Sequence, residues 1–292
     1  MTHPLVTTEQ LGERLGDPDV QVVDATWYMP NEDGSGRGDY ERGHIPGAVF
    51  FDIDAIADPT SGLPHMLPSP EAFAEAAGAL GLRREATIVV YDARGIFSAP
   101  RVWWTLRVMG FPKVSVLDGG LKRWRAEGRP VETAAPSPAP TRLVPAYDTA
   151  LVRDLEAVKA HVIQRDSQLV DARAAARFHG EAPEPRAGLR SGHMPGARNV
   201  PWGDLVSEDG TLKPPEVLRA AFAAGGVDLA QPIVTTCGSG VSAALLALAL
   251  ARLGRDDVAV YDGSWTEWGG RADTEVVAGR STLDPARGSA SN

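Results

Sequence analysis

Ile233-Val234-Thr235-Thr236-Cys237-Gly238-Ser239-Gly240-Val241-Ser242-Ala243 reads as a short apolar strand, a tight glycine loop and the opening of an almost wholly apolar helix. A strand that runs through a glycine turn into a helix is the building step of a parallel sheet. Cys237, at the turn, is the only cysteine of the chain. A lone cysteine is ordinarily a small buried hydrophobe. Here Gly238 and Gly240 let the backbone close around the sulfur with its amides turned inward as an anion nest, and the helix beginning near Ser242 adds its positive end. The loop is therefore expected to favour a thiolate.

The strand before the loop has a counterpart earlier in the chain. Ile88-Val89-Val90-Tyr91-Asp92 answers Ile233-Val234-Thr235-Thr236-Cys237, and Val116-Leu117-Asp118-Gly119-Gly120 with Trp124 answers Val260-Tyr261-Asp262-Gly263-Ser264 with Trp268. Upstream, Val22-Val23-Asp24-Ala25, Tyr40 and Gly43-His44-Ile45-Pro46-Gly47-Ala48 return in the same order as Leu169-Val170-Asp171-Ala172, Phe178 and Gly192-His193-Met194-Pro195-Gly196-Ala197. Self-similarity at so long a period means two copies of one domain rather than a solenoid. Each copy alternates apolar runs with amphipathic stretches, the signature of an α/β fold with a mainly parallel sheet flanked by helices. Strands are predicted near 20–25, 48–52, 87–91 and 114–118, and again near 167–171, 198–201, 232–236 and 257–261. Helices are predicted to start near Thr7, Ser69, Ser98 and Gly120.

The Pro- and Ala-rich run between Pro130 and Pro145 separates the copies, giving a first domain at 1–135, a linker at 136–146 and a second domain at 147–292. The tail after about Thr282, rich in small and polar residues, is expected to be mobile. A chain of 292 residues, 43% hydrophobic, can bury two substantial cores. A net charge of −9 argues against nucleic-acid or anionic-membrane partners. No leader pattern and no membrane-length apolar run is visible, so a soluble, reducing, cytoplasmic setting is expected.

The repeat serves as an internal control. His44 and His193 share a Gly-His-x-Pro-Gly motif, but the first copy carries Asp92 where the second carries Cys237. A motif common to both copies is expected to build a turn and satisfy a buried hydrogen bond rather than to do chemistry. The first copy then contributes side chains across the interface while the second reacts.

The duplicated domain, the paired Gly-His-x-Pro-Gly motifs and a single cysteine opening a tight loop in the second half resemble the rhodanese family of sulfurtransferases over nearly the whole chain. Cys237-Gly238-Ser239-Gly240-Val241 is similar to the loop of the 3-mercaptopyruvate branch, whereas thiosulfate-specific members carry basic residues after the cysteine. A dianionic donor gains from such cations, and glycine and serine cannot supply them. The resemblance implies that Arg177 and Arg186 bind the donor's carboxylate and keto group, for which a planar guanidinium fork is suited. It also implies a triad of Asp54, His65 and Ser239 at the domain interface, a carboxylate orienting an imidazole that polarises a hydroxyl. Gly238, Gly240, Val241 and Ser242 complete the loop, with Ser242 standing where the family usually has threonine.

The implied reaction is double displacement through a Cys237 persulfide, with a small-molecule sulfur donor and a thiol acceptor such as thioredoxin, a low-molecular-weight thiol or cyanide. No metal or other cofactor is expected. Three other readings stand beside it. One is a thiosulfate sulfurtransferase on the same fold. Another is a cysteine-dependent phosphatase, which would want an arginine where Val241-Ser242-Ala243-Ala244 stands, and the last is a non-enzymatic binding module, which the retained cysteine argues against.

Overall fold

β-branched runs bounded by polar turns make the strands. The computed structural model describes residues 3–29 and 31–279, and within them the first half forms β1 (Leu5–Val6), β2 (Val20–Asp24), β3 (Val49–Phe50), β4 (Thr87–Tyr91) and β5 (Val114–Leu117). The second half forms β6 (Val152–Arg153), β7 (Gln168–Asp171), β8 (Arg198–Asn199), β9 (Ile233–Thr236) and β10 (Ala259–Tyr261). The strand orders are β1-β5-β4-β2-β3 and β6-β10-β9-β7-β8, the same order in each copy. Every pairing within the two sheets is parallel. Register matches too: Asp24 lies opposite Tyr91, and Asp171 opposite Thr236. The residues that follow, Asp92 and Cys237, therefore leave equivalent carboxyl ends of their sheets, where open parallel sheets bind ligands.

All eight expected strands are present, Thr87–Tyr91 at its full expected length and the others somewhat shortened at their ends. β1 and β6 are edge strands of two residues and leave no apolar run to read. The Gly36–Arg42 helix also escapes the pattern, because Tyr40 is its one buried side chain. Helices begin at Thr8, Pro70, Ala99 and Gly120. Thr7 opens the first through a reciprocal capping box with Gln10.

Two helices buried on nearly every side, Ala99–Val108 and Val241–Arg252, follow β4 and β9 and pack against each other across the domain boundary. The second is apolar on all sides up to Arg252 and must be covered everywhere, and the apolar residues of both belong to one core cluster that runs through both halves. Trp103 and Trp104 lie fully inside it, with their indole N–H groups donating to Val114 O and Leu151 O.

The rest of the interface obeys the same pseudo-symmetry. Asp118 Oδ1 accepts the Leu212 amide at 2.9 Å, and its counterpart Asp262 accepts the Leu67 amide through Oδ2 at 2.8 Å. Leu67 and Leu212 each stand three residues before a helix, Pro70–Ala79 and Pro215–Ala224. Each domain thus grips the same loop of the other. Two glycines permit a close backbone approach: a Cβ on Gly95 would sit 2.6 Å from Gly210 Cα.

Between the halves, residues 133–148 carry no helix or strand. The segment is pinned to the first domain by Thr141 N to Gly78 O, Arg84 Nη2 to Val144 O and Asp148 N to Val108 O. The tail beyond Thr282 lies outside the described residues. No helix among them is long and apolar enough to cross a membrane.

Gly95 combines a φ of +118° with a backbone neighbour that cannot move aside. Gly95→Ala should lower stability by about 1–3 kcal/mol from overpacking alone, read as a drop in the denaturant midpoint. Gly62→Ala, where an added Cβ meets nothing within 4 Å, should leave the midpoint unchanged.

Candidate active site

Cys237 is 2% exposed, at the floor of a cleft of about 130 Å³ between the domains. The shape of its loop comes from where the carbonyls go. Cys237 O accepts from Trp265 N at 2.9 Å, and Gly238 O accepts from Thr266 N and Thr266 Oγ1 at 2.8 and 2.7 Å. Gly240 O faces Arg101 Nη1 at 3.4 Å. With these carbonyls drawn outward, the amides of Gly238, Ser239 and Gly240 are left without an acceptor among the described residues, open to a charge on the sulfur. Gly240, at φ +80°, is also the cap of the Val241–Arg252 helix; a Cβ there would lie 2.6 Å from Arg101 Nη1. The Cys237 amide itself donates to Ser264 Oγ at 3.2 Å. Ser264 stands where the first copy has Gly120.

The first copy shows what such a nest holds. Asp92 Oδ2 accepts the amides of Phe97, Ser98 and Ala99 at 2.8, 2.9 and 2.9 Å. Its carboxylate is an internal anion that fills the nest at the head of its own helix. The first loop is closed to any other occupant.

Across the cleft stands a wall from the first domain, Trp27, Met29 and Phe97, continued by Trp202 of the second. Phe97 and Trp202 pack with ring centroids 5.1 Å apart. Beneath this wall lie Asp54 and His65. His65 Nδ1 is 2.7 Å from Asp54 Oδ1, while Asp54 Oδ2 accepts the Trp27 indole N–H at 2.9 Å. The imidazole is almost wholly buried, and the Trp27 ring meets it edge-on at 4.8 Å. The His65 contact, with the Trp27 bond in support, holds the Asp54 carboxyl below its ordinary range against the opposing effect of burial. Ser239 lines the cleft, but its hydroxyl makes no hydrogen bond to His65, whose Nε2 is buried without a partner. Two links of the expected triad are in contact and the third is open. Val241 and Ser242 line the cleft beside Cys237.

Arg177 and Arg186 both reach the cleft, in different states. Arg177 forms a fork on Glu184, Nη2 to Oε2 at 2.5 Å and Nε to Oε1 at 3.3 Å, and its Nη2 lies against Gly238. Glu184 is shared with the buried Arg173 at 2.8 Å, and Arg173 in turn is held by Asp171 and stacked on Trp265. Arg94, at the rim, is paired with Glu32 at 2.8 Å. Arg186 has no carboxylate partner among the described residues, though it is half-buried, and loss of solvent lowers its pKa while the nearby Cys237 opposes that shift. A cation in this condition is stabilised by an arriving anion.

His44 and His193 do as their shared motif implies. Each is buried with Nδ1 on a backbone carbonyl, Tyr40 O at 2.8 Å and Phe178 O at 2.9 Å, and each stacks on the same aromatic ring, at 3.9 and 4.0 Å. Neither lines the cleft. Sequence reading missed Trp27, Arg94 and Arg101, which act through contacts far apart in the chain, and Glu184, whose partners Arg173 and Arg177 are near in sequence but marked by no pattern. Among the described residues, no three His, Cys, Asp or Glu side chains cluster as metal ligands.

Residues 7–127 and 154–271 each match the model of the rhodanese-like domain. The chain is 47% identical over 272 residues to the 3-mercaptopyruvate sulfurtransferase of Escherichia coli K12, an alignment that covers 93% of this chain and 96% of that protein. It is 44% identical over 286 residues to the thiosulfate sulfurtransferase of Cricetulus griseus, covering 95% and 96%. The crystal structure of SseA from Escherichia coli superposes with a TM-score of 0.83 at 44% identity, covering 91% of this chain and 99% of that one.

Asp92→Ala should strand three buried amides and lower stability by about 1–3 kcal/mol, whereas Asp92→Asn, which keeps an acceptor oxygen, should lose less; denaturant titration separates them. The lowered Asp54 pKa means that this carboxylate favours the folded state above its unfolded pKa of about 3.9 and loses that effect as the pH falls through the folded value. The stability difference between wild type and Asp54→Asn should be flat at neutral pH and shrink below about pH 4.

Proposed function

This chain belongs to the rhodanese-like family, whose domain it carries twice, and from that membership and the cleft we propose that it moves sulfur from 3-mercaptopyruvate to a thiol acceptor through a Cys237 persulfide. The observation that carries the choice of donor is the charge of the cleft. Of the arginines that line the cleft, Arg94 is paired with Glu32, and Arg173 and Arg177 with Asp171 and Glu184, which leaves Arg186 as the one without an ion-pair partner among the described residues, with the Asp54 carboxylate near enough to act on it through space. One unpaired guanidinium suits a monoanionic keto acid. A dianion such as thiosulfate would ask for more.

In the first half-reaction the Cys237 thiolate attacks the sulfur of mercaptopyruvate. The sulfur–carbon bond breaks, its electron pair leaves with carbon as pyruvate enolate, and a proton on that carbon gives pyruvate. The outer sulfur remains on Cys237 as a persulfide, whose charge the Gly238, Ser239 and Gly240 amides and the head of the Val241–Arg252 helix stabilise. Arg186, with Arg177 turning from Glu184, holds the donor's carboxylate and keto oxygen. Asp54 orients His65, whose free Nε2 takes up Ser239 or the donor and moves the proton. In the second half-reaction an acceptor thiolate attacks the outer sulfur, the sulfur–sulfur bond breaks, and Cys237 returns as thiolate. A thioredoxin-like dithiol, a low-molecular-weight thiol or cyanide fits this step, and a reducing compartment such as the cytoplasm suits it.

Thiosulfate sulfurtransferase activity is the second reading, favoured by the match to a relative of that name. Comparing pyruvate release from mercaptopyruvate with thiocyanate formation from thiosulfate and cyanide separates the two. A preference for mercaptopyruvate of at least about tenfold in kcat/KM, or about 1.4 kcal/mol at the transition state, is expected. Arg186→Ala should shrink it, and a preference for thiosulfate would overturn the choice of donor. The protein treated with donor alone should gain the mass of one sulfur atom, and Cys237→Ser should not.

A further inference from the structure

His65 is one of three non-glycine residues with positive φ in the described chain, at +61°. Its counterpart two residues before the gripped leucine of the second domain is Gly210, at φ +86°, the residue type that such a backbone ordinarily requires. A histidine kept in this conformation has to be held there by its surroundings.

Arg101 holds it. The guanidinium is 2% exposed and meets three groups: Nη2 donates to His65 O, Nη1 faces Gly240 O at 3.4 Å, and Nη1 lies 2.7 Å from Asp262 Oδ1, itself 5% exposed. Asp262 Oδ2 meanwhile accepts the Leu67 amide. The ion pair therefore clamps the His65-Met66-Leu67 strip at both ends and ties it to the last carbonyl of the Cys237 loop.

The repeat indicates what this clamp is for. The grip of an aspartate on a leucine amide occurs on both sides of the interface, through Asp118 and through Asp262, so it belongs to domain packing. The arginine occurs on one side. The Val241–Arg252 helix has no charged residue before Arg252 to play the same part toward Asp92's loop. A buried ion pair is a poor way to gain stability, and this one has no counterpart on the other side of the interface.

We infer that Arg101 is a positioning residue, fixing His65 over the Cys237 loop across the domain boundary. It touches neither sulfur nor donor and acts through the imidazole. The inference rests on the reading that His65 serves the reaction.

The test is a double-mutant cycle in kcat with 3-mercaptopyruvate and cyanide. Arg101→Met alone would strand the Asp262 carboxylate, so Arg101→Met is combined with Asp262→Asn, which keeps an acceptor for Leu67 and removes the charge pair together. This pair variant should melt close to wild type yet lose kcat by up to about 10²-fold, as displacement of a catalytic group does, with KM little changed. In a His65→Ala background the same pair should lower kcat no further, within about twofold. Wild-type kcat in the folded pair variant would overturn the inference, and so would a loss that multiplies with that of His65→Ala. A fully active His65→Ala would instead remove the reading beneath it, and the inference with it.

Discussion

Two buried helices packed against each other, Ala99–Val108 and Val241–Arg252, set the position of everything in the cleft. Each leaves the loop at the carboxyl end of a central strand, and nearly every side chain of the two is buried. Their only stable arrangement is mutual burial in one core shared by both halves. That contact brings the loop of one domain against the loops of the other, so the chemistry is assembled at a seam: sulfur, amides and arginines from the second domain, and Asp54, His65 and the aromatic wall from the first.

Duplication makes the division of labour visible. Both copies keep the sheet order, the buried histidine stacked on an aromatic ring, and the aspartate that grips the partner's leucine amide. They part at the loop after the fourth strand. Asp92 folds its carboxylate into its own amide nest, while Cys237 leaves an equivalent set of amides facing the cleft. The two solutions use the same physics, backbone N–H groups around negative charge. In one case the charge is part of the chain, and in the other it arrives with the reaction.

Local pattern made a large part of this readable beforehand. Central strands show as β-branched runs, helix starts show as Thr7 and Ser69 caps, and the repeat exposes Cys237 as the residue without a reactive twin. What escaped has no local signature. β1 and β6 are two residues long and exist because a neighbouring strand pairs with them. Trp27 and Glu184 look in sequence like an ordinary aromatic and a loop acid; their importance lies in contacts with Asp54 and Arg177. Arg101 reads as a cation in the first turn of a helix, and its burial follows from a domain contact more than a hundred residues away in the chain. The asymmetry between the copies was the available clue, since no arginine answers it in the second.

The shared core has a consequence for traffic. The two halves share one continuous core and residues 133–148 are fastened along the first domain, so the loaded sulfur is held in place at the seam. Cys237 stays at the bottom of one small opening, so giver and receiver have to queue for the same berth. Each becomes a blocker of the other when it arrives out of turn: a receiver berthed before loading, or a second giver berthed after it, stalls the cycle. The throughput of such a molecule depends on the ratio of its two clients as much as on the speed of either bond exchange.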